Sequence, residues 1–296
     1  MSHALYDGLS FEHILRAIHT LHHGNYLPAA PRFALYVQHM TNSRESGYNF
    51  WRSVLANSSM TVLRTPADRD LVQGETEQNG TFWSSKVIKC PLRVNADGIT
   101  QATVFTAASG IMLAEVTKSE DVVFGRVVSG RQCLPVSHQD IVGPCTNMVP
   151  TRIRTNDDVK PRELLYKIQD QYLNSLPFET LGLDDIRDNC TDWPKSVTMF
   201  GCCTTYQNFE MRPVSQIEDQ RVRLEPLMAD EKELEEIKGV RDQASLHLLE
   251  VIGIPEPNGI DLKVIVSASQ RVCDEAMVEA MLLILCERIR SLTVAV

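Results

Sequence analysis

Residues 2–8 read Ser2-His3-Ala4-Leu5-Tyr6-Asp7-Gly8: a histidine four residues before an aspartate, a glycine at a turn, and a helix beginning at once. An imidazole titrates at about 6.5, so it can orient an amine or accept its proton at neutral pH. A carboxylate on the same turn can fix the geometry of the loop that carries it. Taken alone, the pattern also suits a solvated turn histidine, and both readings stand at this point. Ser10 is expected to cap a helix running to about His23, with Glu12 in its first turn, Leu15, Ile18 and Leu21 at helical spacing, and Gly24 as the stop.

Outward from this block, Pro28 and Pro31 break the chain, and Phe33 to Met40 and Tyr48 to Leu55 read as two further helices. Arg64 to Gly80 is polar, with two glycines and a proline, and is the best candidate for a linker or loop. Strands are expected at Phe82 to Cys90, Asp121 to Val128, Thr146 to Arg154, Val197 to Tyr206, Arg221 to Leu227, Ser245 to Ile252 and Leu262 to Ser267. Helices are expected at Ile99 to Val116, at Pro161 to Asn174 with proline in its first turn, and at Cys273 to Leu292. Helices and strands interleave without an internal repeat, so the class is α/β.

The chain has 296 residues, enough for one large or two medium domains at roughly 150 residues each. Hydrophobic residues make up 43% and charged residues 23%, the balance of a folded globular protein. The net charge is −9 and the basic residues are scattered, which argues against a nucleic-acid partner. No apolar run approaches the ~20 residues of a membrane span, and Ser2, His3, Tyr6 and Asp7 interrupt any signal-peptide core, so a cytoplasmic protein is expected. Eight cysteines without CxxC pairs read as mostly buried free thiols in a reducing compartment. His13, His19, His22 and His23 invite a metal reading. Late-helix histidines also suit the negative end of the helix dipole, and no metal site is expected.

The block at 2–8 resembles the HHxxxDG motif of condensation domains from nonribosomal peptide synthetases. The resemblance continues in order through the chain. Phe124-Gly125-Arg126-Val127-Val128-Ser129-Gly130-Arg131 looks like the family's strand ending in Ser-Gly-Arg, and Ile141 to Arg152 (IVGPCTNMVPTR) is similar to its VGPFxNxxPxR block. Leu176-Pro177-Phe178-Glu179 resembles its PFE motif. Serine in place of the first histidine looks like the variant of fungal synthetases, especially terminal condensation-like domains that cyclise and release their product.

The resemblance implies a chloramphenicol acetyltransferase-like fold: a mixed sheet with flanking helices, here one nearly complete lobe at 61–296 plus the tail of another at 1–60. It implies that His3 is catalytic, that Ser2 supports the loop, and that Asp7 pairs with Arg131 to hold it. Gly8 is implied as an oxyanion donor, Asn208 as a substrate-positioning residue, and Gly143 and Asn147 as shaping the tunnel. No cofactor is expected to be bound; the substrates would ride on the 4'-phosphopantetheine arms of acyl or peptidyl carrier proteins, with adjacent synthetase domains as further partners. The implied activity is an acyl transfer, amine attack on a carrier-bound thioester to give an amide, or macrocyclising release.

The family's motif normally follows a long first-lobe segment, so a truncated chain is expected. The alternative function is an inactive half-domain that retains only carrier or partner binding. Coenzyme A-dependent O-acyltransferases share HxxxD but carry a DFGWG-like block, and epimerisation domains add an EGHGRE-like block. Neither block is present.

Overall fold

The sheet grows outward from Asp121–Val128 (β2), a run of β-branched residues around Phe124 whose shape fits a pleated, buried surface. The computed structural model describes residues 5–27, 29–63, 83–94, 98–155, 160–208, 249–269 and 273–294. Asn147–Arg154 (β3) pairs antiparallel with one side of β2, and Cys202–Tyr206 (β4) pairs parallel with the other. Leu249–Pro255 (β5) runs parallel to β4, Asp261–Ser269 (β6) returns antiparallel, and Trp83–Pro91 (β1) closes the order β1-β6-β5-β4-β2-β3. The result is a mixed α/β sheet. Gly125 is required at its centre, since a Cβ there would lie 2.7 Å from the Phe200 ring and 2.8 Å from the Met148 sulfur.

Successive side chains of a strand face opposite sides of the sheet, and β2 shows it. Val122 and Phe124 pack into the cluster formed with Gln101–Thr117 (α3), Pro161–Ser175 (α4) and Glu275–Val294 (α6). Val123 packs instead with Phe33–Leu55 (α2) and Leu183–Cys190 (α5). The helix α3 is buried nearly all round and is made of small and apolar residues, so backbones approach closely; a Cβ on Gly110 would sit 2.3 Å from Ile153 Cδ1.

Three expectations are corrected. The first helix, Gly8–His22 (α1), is capped by Asp7, whose side chain accepts from the Ser10 amide; Ser10 itself is buried one turn in. The two helices expected at Phe33 to Met40 and Tyr48 to Leu55 are one continuous α2, because the polar stretch between them stays helical and Gly47 packs against Leu181, 2.4 Å from where a Cβ would stand. Strand β4 begins at Cys202 rather than Val197, since Val197 donates to the Pro194 carbonyl in a turn and Gly201 lies against the Thr61 carbonyl. Helix α5 was not expected. The segments Arg64 to Gly80 and Arg221 to Leu227 lie outside the described residues. All eight cysteines are free, seven of them buried.

Candidate functional site

The capping position of α1 decides the geometry. Asp7 Oδ1 accepts from the Ser10 amide at 2.9 Å, the Ser10 hydroxyl at 2.8 Å and Arg131 Nη2 at 3.0 Å. Oδ2 accepts from Arg131 Nη1 at 2.7 Å, from the Cys145 and Thr146 amides at 3.0 and 2.9 Å, and from the Thr146 hydroxyl at 3.1 Å. Burial alone would raise the Asp7 carboxyl; the fork of Arg131 and the two Ser10 donors outweigh it and hold the group well below the usual carboxylate range. With both oxygens filled and the group kept ionised, Asp7 is a structural anchor and has no lone pair left for a general base.

Arg131 is equally engaged. Its guanidinium donates further to the carbonyls of Ser129, Ile141 and Gly143, at 3.0 to 3.3 Å, and to the Ser10 hydroxyl at 2.9 Å. The loop must run close to make this possible. Gly130 has φ +65°, and a Cβ there would lie 2.0 Å from the Cys145 carbonyl oxygen. Gly143 closes the other side: its amide donates to Ser10 Oγ at 2.9 Å, and a Cβ would meet the Phe33 ring at 2.2 Å.

The start of α1 so pinned lines one end of a cavity of about 790 Å³ through Gly8 and Leu9. The rest of the wall comes from the start of α3 (Thr100, Gln101), from Arg126 and Ser129 on and after β2, from Tyr172 and Ser175 on α4, and from the end of β4. Asn208 is exposed and lines the same cavity. Gly143 and Asn147 stand outside that lining. Asn147 Nδ2 donates to the Glu179 and Leu181 carbonyls at 2.8 and 2.7 Å, so it ties β3 to the turn before α5, and it borders a second hollow with Pro144 and Asp185. Thr146, between them, touches both Asp7 and the large cavity. Ser2 and His3 lie outside the described residues.

A second arginine–carboxylate pair was missed by sequence reasoning. Arg126 Nη2 donates to Glu179 Oε1 at 3.2 Å and to Ser175 Oγ at 3.0 Å, and its guanidinium lies 4.6 Å from the centre of the Tyr172 ring. Tyr172 in turn donates to Gln132 Oε1 at 2.7 Å. Burial pushes the Glu179 carboxyl up, against the pull of Arg126. The available signal was an arginine within DVVFGRVV, since a charge in a buried strand must be paired or face a site. Among the described residues no three His, Cys, Asp or Glu side chains converge as metal ligands; the His19 and His23 rings meet at a tilt of 44° with centres 4.2 Å apart. No described helix is long and apolar enough to cross a membrane.

The comparisons with known proteins extend this picture. The family model described as the condensation domain matches residues 1–291. The nonribosomal peptide synthetase kk1B of Curvularia clavata is 51% identical over 95% of this chain, and the beauvericin nonribosomal cyclodepsipeptide synthetase of Beauveria bassiana is 43% identical over the whole of it. The chain spans only 2% and 9% of the lengths of those two synthetases. The solved condensation domain of the monacolin K polyketide synthase MokA superposes over 98% of this chain and 67% of its own, with a TM-score of 0.67 at 14% identity, and shares the fold. With the family's model spanning nearly the whole sequence and its chloramphenicol acetyltransferase-like fold present, this chain belongs to the condensation domain family.

Proposed function

We propose that the large cavity receives a carrier-bound acyl thioester and its nucleophile, and that the chain takes part in forming an amide or ester bond between them. The observation that carries this reading is the Asp7–Arg131 anchor. It fixes the first turn of α1, and with it Gly8, at one end of a cavity large enough for a peptide-sized ligand. The names of the relatives include a cyclodepsipeptide synthetase, and a depsipeptide contains both amides and esters, so a hydroxyl nucleophile is included beside the amine.

The chemistry is a substitution at the thioester carbonyl. The new C–N or C–O bond forms, the C–S bond breaks, and the nucleophile's proton ends on the departing thiol of the phosphopantetheine arm. His3, on the segment just before Asp7, is the residue proposed to orient the nucleophile and relay that proton. The Gly8 amide, in the first turn where helical N–H groups lack intrahelical partners, is the proposed donor to the oxyanion. The phosphopantetheine arms, the carrier proteins and the neighbouring synthetase domains are partners on the same reading. Residues 1–60 are read as the tail of one lobe and 61–296 as a second.

A single-turnover assay tests it: the chain in its synthetase, a peptidyl thioester loaded on the carrier protein, and the product identified by mass. Product is expected, and it should disappear in His3→Ala. A carrier that binds without yielding product in the wild type overturns the catalytic reading and leaves a binding module.

A further inference from the structure

The cavity wall carries one built recognition element that the proposed chemistry does not use. Among the described residues that line it, Arg126 and Glu179 are the only Asp, Glu, Lys or Arg side chains; the polar remainder is mainly hydroxyls and amides such as Thr103, Ser129 and Gln171. Arg126 is 14% exposed and Glu179 is 1% exposed. The guanidinium is held from two sides, by Glu179 and Ser175 through Nη2 and by the face of Tyr172. Its Nε and Nη1 donate to no described residue, and Arg126 lines the cavity. An arginine fixed in this way presents unused N–H donors in one plane, at almost no further cost in side-chain freedom.

The charge balance selects what those donors take. A free carboxylate or phosphate approaching Arg126 would meet the buried Glu179 beside it, and an ammonium would meet the guanidinium. A neutral oxygen acceptor meets neither penalty and gains a charge-assisted hydrogen bond. We infer that Arg126 is a substrate-binding residue whose free guanidinium edge grips an amide or ester carbonyl oxygen within the acyl chain, so that the cavity prefers peptidyl or depsipeptidyl chains over plain fatty acyl chains. This rests on the reading of the cavity as an acyl-thioester site. Glu179 and Tyr172 act through Arg126 and are positioning residues.

The test is calorimetric titration of the chain with two N-acetylcysteamine thioesters matched in length, one carrying N-acetyl-glycyl-glycine and the other octanoate. Arg126→Met, which keeps length and an apolar contact on Tyr172, should weaken the peptidyl thioester by at least about tenfold, the lower end for one lost hydrogen bond to a charged group, and leave the octanoyl thioester within about twofold. Arg126→Lys keeps the charge and the partner of Glu179 but lacks the planar edge, so it should also reduce the preference for the peptidyl probe. This second variant decides the matter if the methionine variant does not fold. Equal effects on both probes, or an unchanged preference in Arg126→Lys, overturn the inference alone. Failure of the wild type to bind either probe overturns the acyl-cavity reading, and the inference with it.

Discussion

Two arginines with little exposed side chain serve the large cavity, Arg126 in its wall and Arg131 through Asp7, the neighbour of the lining residue Gly8, and they differ in how much of each is spent. Arg131 gives its guanidinium to Asp7, to Ser10 and to three backbone carbonyls, and Asp7 fills both of its oxygens. Arg126 gives one nitrogen to Glu179 and Ser175 and keeps the rest. The first arrangement is saturated and can only hold shape. The second leaves Nε and Nη1 without a described partner, on a residue that lines the cavity. The distinction lies in the count of partners, since both are arginine–carboxylate pairs with little exposure.

The sharpest way to break the comparison is Arg131→Ala. It leaves a carboxylate buried beside the cavity with its main partner gone, and removing one partner of a buried pair costs about 3–5 kcal/mol. Chemical denaturation should show a loss of that size, and Arg126→Ala should show a smaller one, because the Glu179 carboxyl, already raised by burial, can take up a proton instead of staying charged. Similar losses would mean that the two arginines do the same structural work. Next in size comes Gly130→Ala. The residue sits at φ +65° against the Cys145 carbonyl, so alanine adds backbone strain of about 1–3 kcal/mol together with a direct clash. Its denaturation midpoint should fall accordingly, and the same substitution at Gly182, where a Cβ meets nothing within 4 Å, should not lower it comparably.

The carboxylates should separate by pH. Asp7 is depressed in the folded chain, so its contribution is present above about 3.9 and is lost as pH falls through its lower folded value. Glu179 is raised, so its contribution is present below about 4.3 and is lost as pH rises through its folded value. Between pH 7 and 4 the stability of the wild type relative to Glu179→Gln should therefore grow as pH falls. Relative to Asp7→Asn it should stay flat over that range and shrink only below it. Denaturation midpoints across the range check both signs, and a flat Glu179→Gln difference would mean that the carboxylate titrates as it does in the unfolded chain.

The sequence made one of these regions legible and hid the other for a physical reason. Strand β2 starts and stops where its β-branched run does, and α4 starts where Pro161 permits, because local preference and burial agree there. The polar stretch between Met40 and Tyr48 and the eight polar-rich residues of α5 misled, since their helicity comes from packing of Gly47, Tyr48 and Trp51 against Leu181 and Ile186, which no local window contains. The Asp7–Arg131 pairing spans 124 positions and could be anticipated only from the family resemblance. The Arg126–Glu179 pair spans 53, and its single local trace is a charge inside an apolar strand.

A third pair calibrates the scale from the opposite end. Arg16 and Glu12 stand one turn apart on α1, in hydrogen-bond contact and 63% and 35% exposed, just beyond the turn that Asp7 caps. Water solvates both partners whether or not they meet, so the pair gains little over its hydrated parts. Glu12→Gln should cost no more than about 0.5 kcal/mol, and added salt at about 1 M should erase the difference. Thermal denaturation at low and high salt checks this. A loss near that of Arg131→Ala would show that position on α1, rather than burial and the number of satisfied partners, sets the worth of these charges. The contrast between the saturated anchor and the open cavity wall would then lose its physical basis.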